Sequence, residues 1–144
     1  MGGTHLIVHQ DTLEAEIGLA HLTLAPIENI LDVNPAPLLA LVASFGSPHV
    51  RLSIDVGHAH LMGARGAPPA AHWLAQGAGL PGHVHLQDND GTTDAHLAPG
   101  GGTLYWENVL REVRANPHDP RLIVEVTPGE LGRAMAWTDG LGEP

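Results

Sequence analysis

The chain contains no cysteine. Disulfides, thiolate zinc sites and cysteine nucleophiles are excluded, and a reducing, cytoplasmic location is the expectation. It contains no lysine either, and six arginines supply all of its permanent positive side-chain charge. Without lysine, no Schiff base can form on this chain. Nucleic-acid surfaces need a basic patch, and a formal net charge of −10 weighs against one. No apolar run approaches the ~20 residues of a membrane span. Residues 1–10 lack the basic region and long apolar core of a signal peptide. Met1-Gly2-Gly3 opens like a myristoylation signal, but Leu6 stands where Ser or Thr is required. The glycine-rich stretch 98–103 has neither G-x-G-x-x-G spacing nor a following lysine, so it reads as a loop and not as a phosphate cradle. The expectation is a chain with neither a membrane nor a nucleic-acid partner.

What is present is an alternation of strand and helix patterns over 144 residues, enough for one domain with a real core. Residues 4–9, 22–29, 50–55, 82–88 and 121–126 read as strands. Residues 11–21 read as a short helix or a broken connection. Asn34-Pro35 starts a helix over 35–45 that Gly46 stops, with Leu38, Leu39, Leu41, Val42 and Phe45 as its buried stripe. Residues 68–76 form a proline-started helix ending at Gly77. Residues 103–116 are the clearest helix, with Trp106, Val109, Leu110 and Val113 on one face. Residues 129–137 form a last short helix. Such alternation implies right-handed βαβ units and a parallel sheet. In 82–88, His83, His85 and Gln87 face one way and Val84 and Leu86 the other; in 121–126, Ile123 and Glu125 share a face. Polar residues on one side and aliphatics on the other suit a barrel interior and its outer ring of helices.

The chemistry sits at the ends of the apolar runs. Glu28 follows LTLAPI, Asp55 and His58 follow VRLSI as D-x-x-H, His85 sits in HVHLQD with Asp94 and His96 behind it as D-x-H, and Glu125 closes RLIVE. A short apolar run ending in a carboxylate or imidazole is a strand delivering a ligand to one edge of a sheet. In α/β folds that edge is where ligands bind. Glu28, Asp55, His85 and Glu125 would supply three carboxylates and one imidazole, a set that suits one divalent cation such as Mn, Mg, Co, Zn or Fe. Such a site can hold adjacent sugar oxygens while two carboxylates exchange a proton with the substrate. Of the eleven histidines, His5, His21, His49, His72 and His118 read as surface decoration, and His9, His60 and His83 are not assigned a role. Asp88 and Asp90 read as loop-shaping, and Trp106 as helix core.

The segments I-E-N-I (27–30), D-V-G-H-A (55–59), H-V-H-L-Q-D-N-D-G (83–91), D-A-H-L-A-P-G-G-G-T-L-Y-W (94–106) and L-I-V-E-V (122–126) together resemble the xylose-isomerase-like TIM barrels. This is the sugar phosphate isomerase/epimerase group, which shares its fold with endonuclease IV. The resemblance implies a (β/α)₈ barrel in which Glu28, Asp55, His85 and Glu125 end the fifth to eighth strands and bind the metal. It implies that Glu28 and Glu125 are the acid/base pair. It places His58, Asp94 and His96 at the substrate or a second metal, and lets His9 stand for a fourth-strand ligand. A barrel of this kind needs ~250 residues. The expected fold is therefore a single domain over 1–144, the C-terminal half of the barrel with about four to five βα units and without the N-terminal strands. The ketose 3-epimerases carry an arginine shortly after the seventh-strand histidine, and none stands in residues 87–96 here.

The expected activity is metal-dependent isomerisation or epimerisation of a small sugar, sugar phosphate or polyol, by proton transfer through a metal-bound enediolate. Two alternatives stand beside it: an endonuclease IV-like phosphodiester hydrolase, and a non-catalytic truncated barrel. A half-barrel leaves open strand edges, so the expected partner, besides the sugar, is a second copy of the chain or a missing N-terminal half.

Overall fold

A computed structural model describes residues 8–9 and 25–141. Five strands in them form one sheet in chain order: β1 (Val8–His9), β2 (Ala25–Glu28), β3 (Val50–Asp55), β4 (Pro81–Leu86) and β5 (Arg121–Val124). Every neighbouring pair is parallel. Helices return the chain between them: α1 (Pro35–Ser44), α2 (Val56–Leu61) with a 3₁₀ turn over Met62–Arg65, α3 (Ala70–Gln76), α4 (Trp106–Arg114) and, after β5, α5 (Leu131–Gly140). A parallel sheet that advances strand by strand without doubling back is a stretch of barrel wall, since a doubly wound sheet reverses its strand order. The fold is α/β, the C-terminal part of a (β/α)₈ barrel. The strand residues expected at 4–7 and 22–24 and the connection expected over 11–21 lie outside the described residues.

Local chemistry explains the element ends. Asn34 Oδ1 accepts the Ala36 backbone N–H at 3.0 Å, and Pro35 occupies the first helical turn, where a missing N–H costs nothing. Leu38 and Val42 are buried, with Leu39 and Leu41 packed beside them. Phe45, expected in the same stripe, is 38% exposed: α1 ends at Ser44, and Gly46 at φ +56° turns the chain away. The helix at Val56–Leu61 has no counterpart in the sequence reading, because VGHAHL carries no apolar stripe. Its start is set by the Asp55 side chain, whose Oδ1 accepts the His58 backbone N–H at 2.8 Å.

Alternation along β3 and β4 sorts the two faces as expected. Leu52, Ile54, Val84 and Leu86 join Trp73 and Val109 in one apolar cluster beneath the helices. Ser53, Asp55, His83, His85 and Gln87 alternate onto the opposite face and are buried there too. In the register Glu28 stands beside Ser53, Asp55 beside His85, and His85 beside Ile123, two residues short of Glu125. The ligand positions thus step up two residues from β2 to β3, stay level between β3 and β4, and step up two again to β5, a net climb of the kind that tilted barrel strands give. Among the described residues, no helix is long and apolar enough to cross a membrane.

Candidate metal centre

Glu28 is the last residue of β2, Asp55 the last of β3, His85 the penultimate of β4, and Glu125 the first after β5. One ligand atom from each lies within 4.8 Å of the other three. His85 Nδ1 is the hub: Glu125 Oε2 stands 2.7 Å from it, Glu28 Oε1 3.5 Å and Asp55 Oδ2 3.8 Å. Glu28, Asp55 and His85 are buried, while the Glu125 side chain is 47% exposed.

The four residues meet the requirements of a small divalent cation. Donor atoms around such an ion stand no more than about 5 Å apart. Asp55 Oδ2 and both His85 ring nitrogens are buried without an aligned hydrogen bond. His85 Nδ1 still has Glu125 Oε2 beside it at 2.7 Å, an ion-pair contact. Buried polar atoms are nearly always satisfied, so a buried carboxylate oxygen and imidazole beside two glutamates form a donor set that could hold a divalent cation. Burial pushes Asp55 up to about 6, against the pull of His58 and His85. Burial opposes charge on His85, yet contacts with Glu125 and Glu28 outweigh it and hold the ring up to about 10. Contact with His85 keeps Glu125 below the usual carboxylate range. Without a cation, a proton on His85 partly neutralises the cluster.

A second group stands beside the first. His58, Asp94 and His96 also offer ligand atoms within 4.8 Å of one another. Asp94 Oδ2 lies 3.4 Å from His58 Nε2 and 3.4 Å from His96 Nε2. His58 faces both groups, because its Nδ1 lies 3.5 Å from Glu28 Oε1 and 3.1 Å from the Asn29 carbonyl oxygen. His96 holds a positive φ of 47°, a strained conformation for a non-glycine residue. Its Nδ1 lies 3.0 Å from the Glu125 carbonyl oxygen, which joins the loop after β4 to the end of β5. Burial works against charge on His96, but that carbonyl and the charge of Asp94 raise its pKa.

All seven ligand candidates from the sequence therefore gather at one edge of the sheet. The histidines not assigned a role are placed differently. His60 Nε2 bonds Thr103 Oγ1 at 2.9 Å, and His9 stands beside Glu28 in the register, its side chain outside what the structure describes. Asp88 shapes the loop: its carboxylate accepts the backbone N–H groups of Asn89 (2.8 Å), Gly100 (3.0 Å) and Leu104 (3.2 Å) and the Trp106 indole N–H (2.8 Å). Two amides carry roles that the sequence does not assign, although alternation puts Gln87 on the polar face. Asn29 clamps the ends of β2 and β3, its Oδ1 accepting from Asp55 N at 2.7 Å and its Nδ2 donating to Asp55 O at 3.1 Å. Gln87 Nε2 donates to Asp55 Oδ1 and to Asp94 Oδ1. The available signal was position alone: each amide follows a ligand by one or two residues.

Known proteins share this arrangement of elements. The chain is 29% identical over 111 residues to an uncharacterized protein of Methanocaldococcus jannaschii, covering 76% of this chain and 36% of that one. Among solved structures it is similar to a D-tagatose 3-epimerase-like protein (TM-score 0.75, 19% identity, 94% of this chain and 61% of that one). It is also similar to a xylose isomerase domain protein from Planctomyces limnophilus (TM-score 0.69, 17% identity, 85% of this chain and 48% of that one). The chain thus spans about a third to three fifths of the length of these relatives. A family model matches residues 21–141, nearly the whole of what is described above, and by that match the chain belongs to the xylose isomerase-like TIM barrels.

Proposed function

We propose that this chain carries the metal-binding and proton-transfer residues of a sugar isomerase or epimerase, acting on a small sugar, sugar phosphate or polyol. The observation that carries the reading is convergence: Glu28, Asp55, His85 and Glu125 each bring a ligand atom within 4.8 Å of the other three, with Asp55 Oδ2 and His85 Nε2 buried and without a hydrogen bond. Glu28, Asp55, His85 and Glu125 would hold one divalent ion such as Mn, Mg, Co or Zn. When bound, such an ion polarises a carbonyl and the hydroxyl beside it, acidifying the C–H between them.

The chain's own residues do the rest. Glu28 and Glu125 come from opposite ends of the row of strand ends and reach His85 Nδ1 from two strands. One carboxylate takes the proton from the carbon next to the carbonyl, and the other returns a proton to the opposite face or to the neighbouring carbon. His58, Asp94 and His96 stand beside the cluster and would contact hydroxyls of a substrate bound there, or hold a second ion. The test is incubation of the metal-loaded chain with candidate ketoses in deuterium oxide. Deuterium entering the carbon beside the carbonyl, and lost in Glu28→Gln and in Glu125→Gln while sugar binding persists, supports the reading; no exchange with any ketose by a metal-loaded chain refutes it.

The His58–Asp94–His96 group favours a second reading, metal-dependent phosphodiester hydrolysis, because such hydrolases use more than one ion. The charge of −10 and the absence of lysine weigh against a DNA substrate. Cleavage of abasic DNA without sugar exchange would decide for it.

A further inference from the structure

Gln87 links the two ligand groups. Its amide is fully buried, and the single nitrogen Nε2 donates to Asp55 Oδ1 at 3.2 Å and to Asp94 Oδ1 at 3.1 Å. Asp55 Oδ1 also accepts the His58 backbone N–H at 2.8 Å, so this oxygen is fully committed. Asp55 Oδ2 is left open towards Glu28 and His85. Asp94 is sorted the same way, since its Oδ1 is taken by Gln87 while Oδ2 faces His58 and His96. Two carboxylates from different groups are thus oriented by one donor nitrogen. A primary amide nitrogen carries the two N–H groups this needs without adding charge.

The amide is itself held in place. A Cβ on Gly57 would collide with Gln87 Cδ, Oε1 and Nε2, so the amide lies directly against the bare backbone at the first turn of α2. Gln87 Oε1 has no hydrogen-bond partner. What fixes the orientation is the donor side, since two carboxylate oxygens demand N–H groups and would repel a carbonyl.

We infer that Gln87 is a positioning residue that couples the two ligand groups: it turns one oxygen of Asp55 to the first and one oxygen of Asp94 to the second, so that a cation at either group feels the other. This rests on the metal reading proposed above. Groups that orient metal ligands typically contribute about 10- to 100-fold to metal affinity, and that sets the expected size.

The test is a Co²⁺ titration of the full chain, followed by calorimetry and by the visible absorption of the bound ion. Gln87→Met keeps the bulk against Gly57 but removes both N–H donors. It should fold as the parent does, by circular dichroism, and bind Co²⁺ roughly 10- to 100-fold more weakly. Asp94→Ala cuts the same bridge from its other end. It should weaken binding at the first group in the parent chain but add little in the Gln87→Met background, which is the non-additivity expected of one shared connection. If Gln87→Met binds as tightly as a binding-competent parent, or if the two losses simply add, the coupling is refuted while the metal reading stands. If the parent itself binds no Co²⁺, the metal reading falls, and the coupling with it.

Discussion

His85 Nδ1 lies 2.7 Å from Glu125 Oε2, and the two belong to opposite environments: the imidazole is buried, the carboxylate half-exposed at the last strand of the sheet. The contact raises the pKa of His85 and lowers that of Glu125, so the ring holds a proton that it would have to lose to serve as a metal ligand.

Metal uptake should therefore release protons. Near neutral pH, each ion bound should expel about one proton, from His85, because only the unprotonated ring is a ligand. Below about 6, the proton on Asp55 adds to the count. Affinity should rise with pH through the neutral range and level off as pH passes about 10. Calorimetry in buffers of different ionisation enthalpy measures the count. Binding that releases no proton near neutrality would contradict the assignment of His85.

The same shifts predict how the metal-free chain responds to pH. The His85 pKa is raised by folding, so its stabilising contribution is complete below 6.5 and is lost as pH climbs to about 10. Asp55 acts in the same direction lower down, between 3.8 and about 6, because burial favours its protonated form. Glu125, lowered by its contact with His85, sets the acid limit: its contribution is lost as pH falls through its depressed pKa. Melting with a chelator present should therefore occur at lower temperature in mildly alkaline than in mildly acidic buffer. Saturating divalent metal should reverse that order.

Asp88 predicts a purely structural effect. Asp88→Ala strips acceptors from the backbone N–H groups of Asn89, Gly100 and Leu104 and from the Trp106 indole. Leaving buried donors unpaired should cost about 3 kcal/mol, seen as a lower denaturant midpoint. Asp90→Ala should cost far less, because Asp90 is exposed and its bonds run only to its neighbours Thr92 and Thr93. Equal losses for the two would mean that the loop is not anchored through Asp88.

The legible part of this chain is the part written in apolar runs. β3 occupies Val50–Asp55, the run that VRLSID marks, and the ligand that closes each run stands at or next to a strand end. Residues whose role depends on meeting a distant partner were not legible. Asn29 and Gln87 are neutral amides; alternation puts Gln87 on the polar face, but its role shows only because Asp55 and Asp94 come within reach of it, as Asp55 does of Asn29. α2 was hidden for a related reason: it is started by the Asp55 cap and carries no apolar stripe, yet it returns His58 to the cluster.

Association should follow from the sheet's last strand. β5 has no neighbour beyond it among the described residues, and Leu122 is 42% exposed there, close to the exposed Glu125. An open strand with apolar side chains invites pairing with another, and we expect a second copy to take that place. Sedimentation velocity should show mass rising with concentration, and Leu122→Lys should shift the chain towards monomer. A parent chain that stays monomeric at high concentration and unfolds cooperatively would exclude self-pairing at β5.

The most direct test of the account is the metal content of the purified chain, by elemental analysis paired with native mass. The four-ligand cluster predicts at least one divalent ion per chain, with one ion lost in the double variant Asp55→Ala, His85→Ala while the variant remains folded. A parent chain that holds no divalent ion after incubation and desalting, or a double variant whose stoichiometry is unchanged, would contradict it.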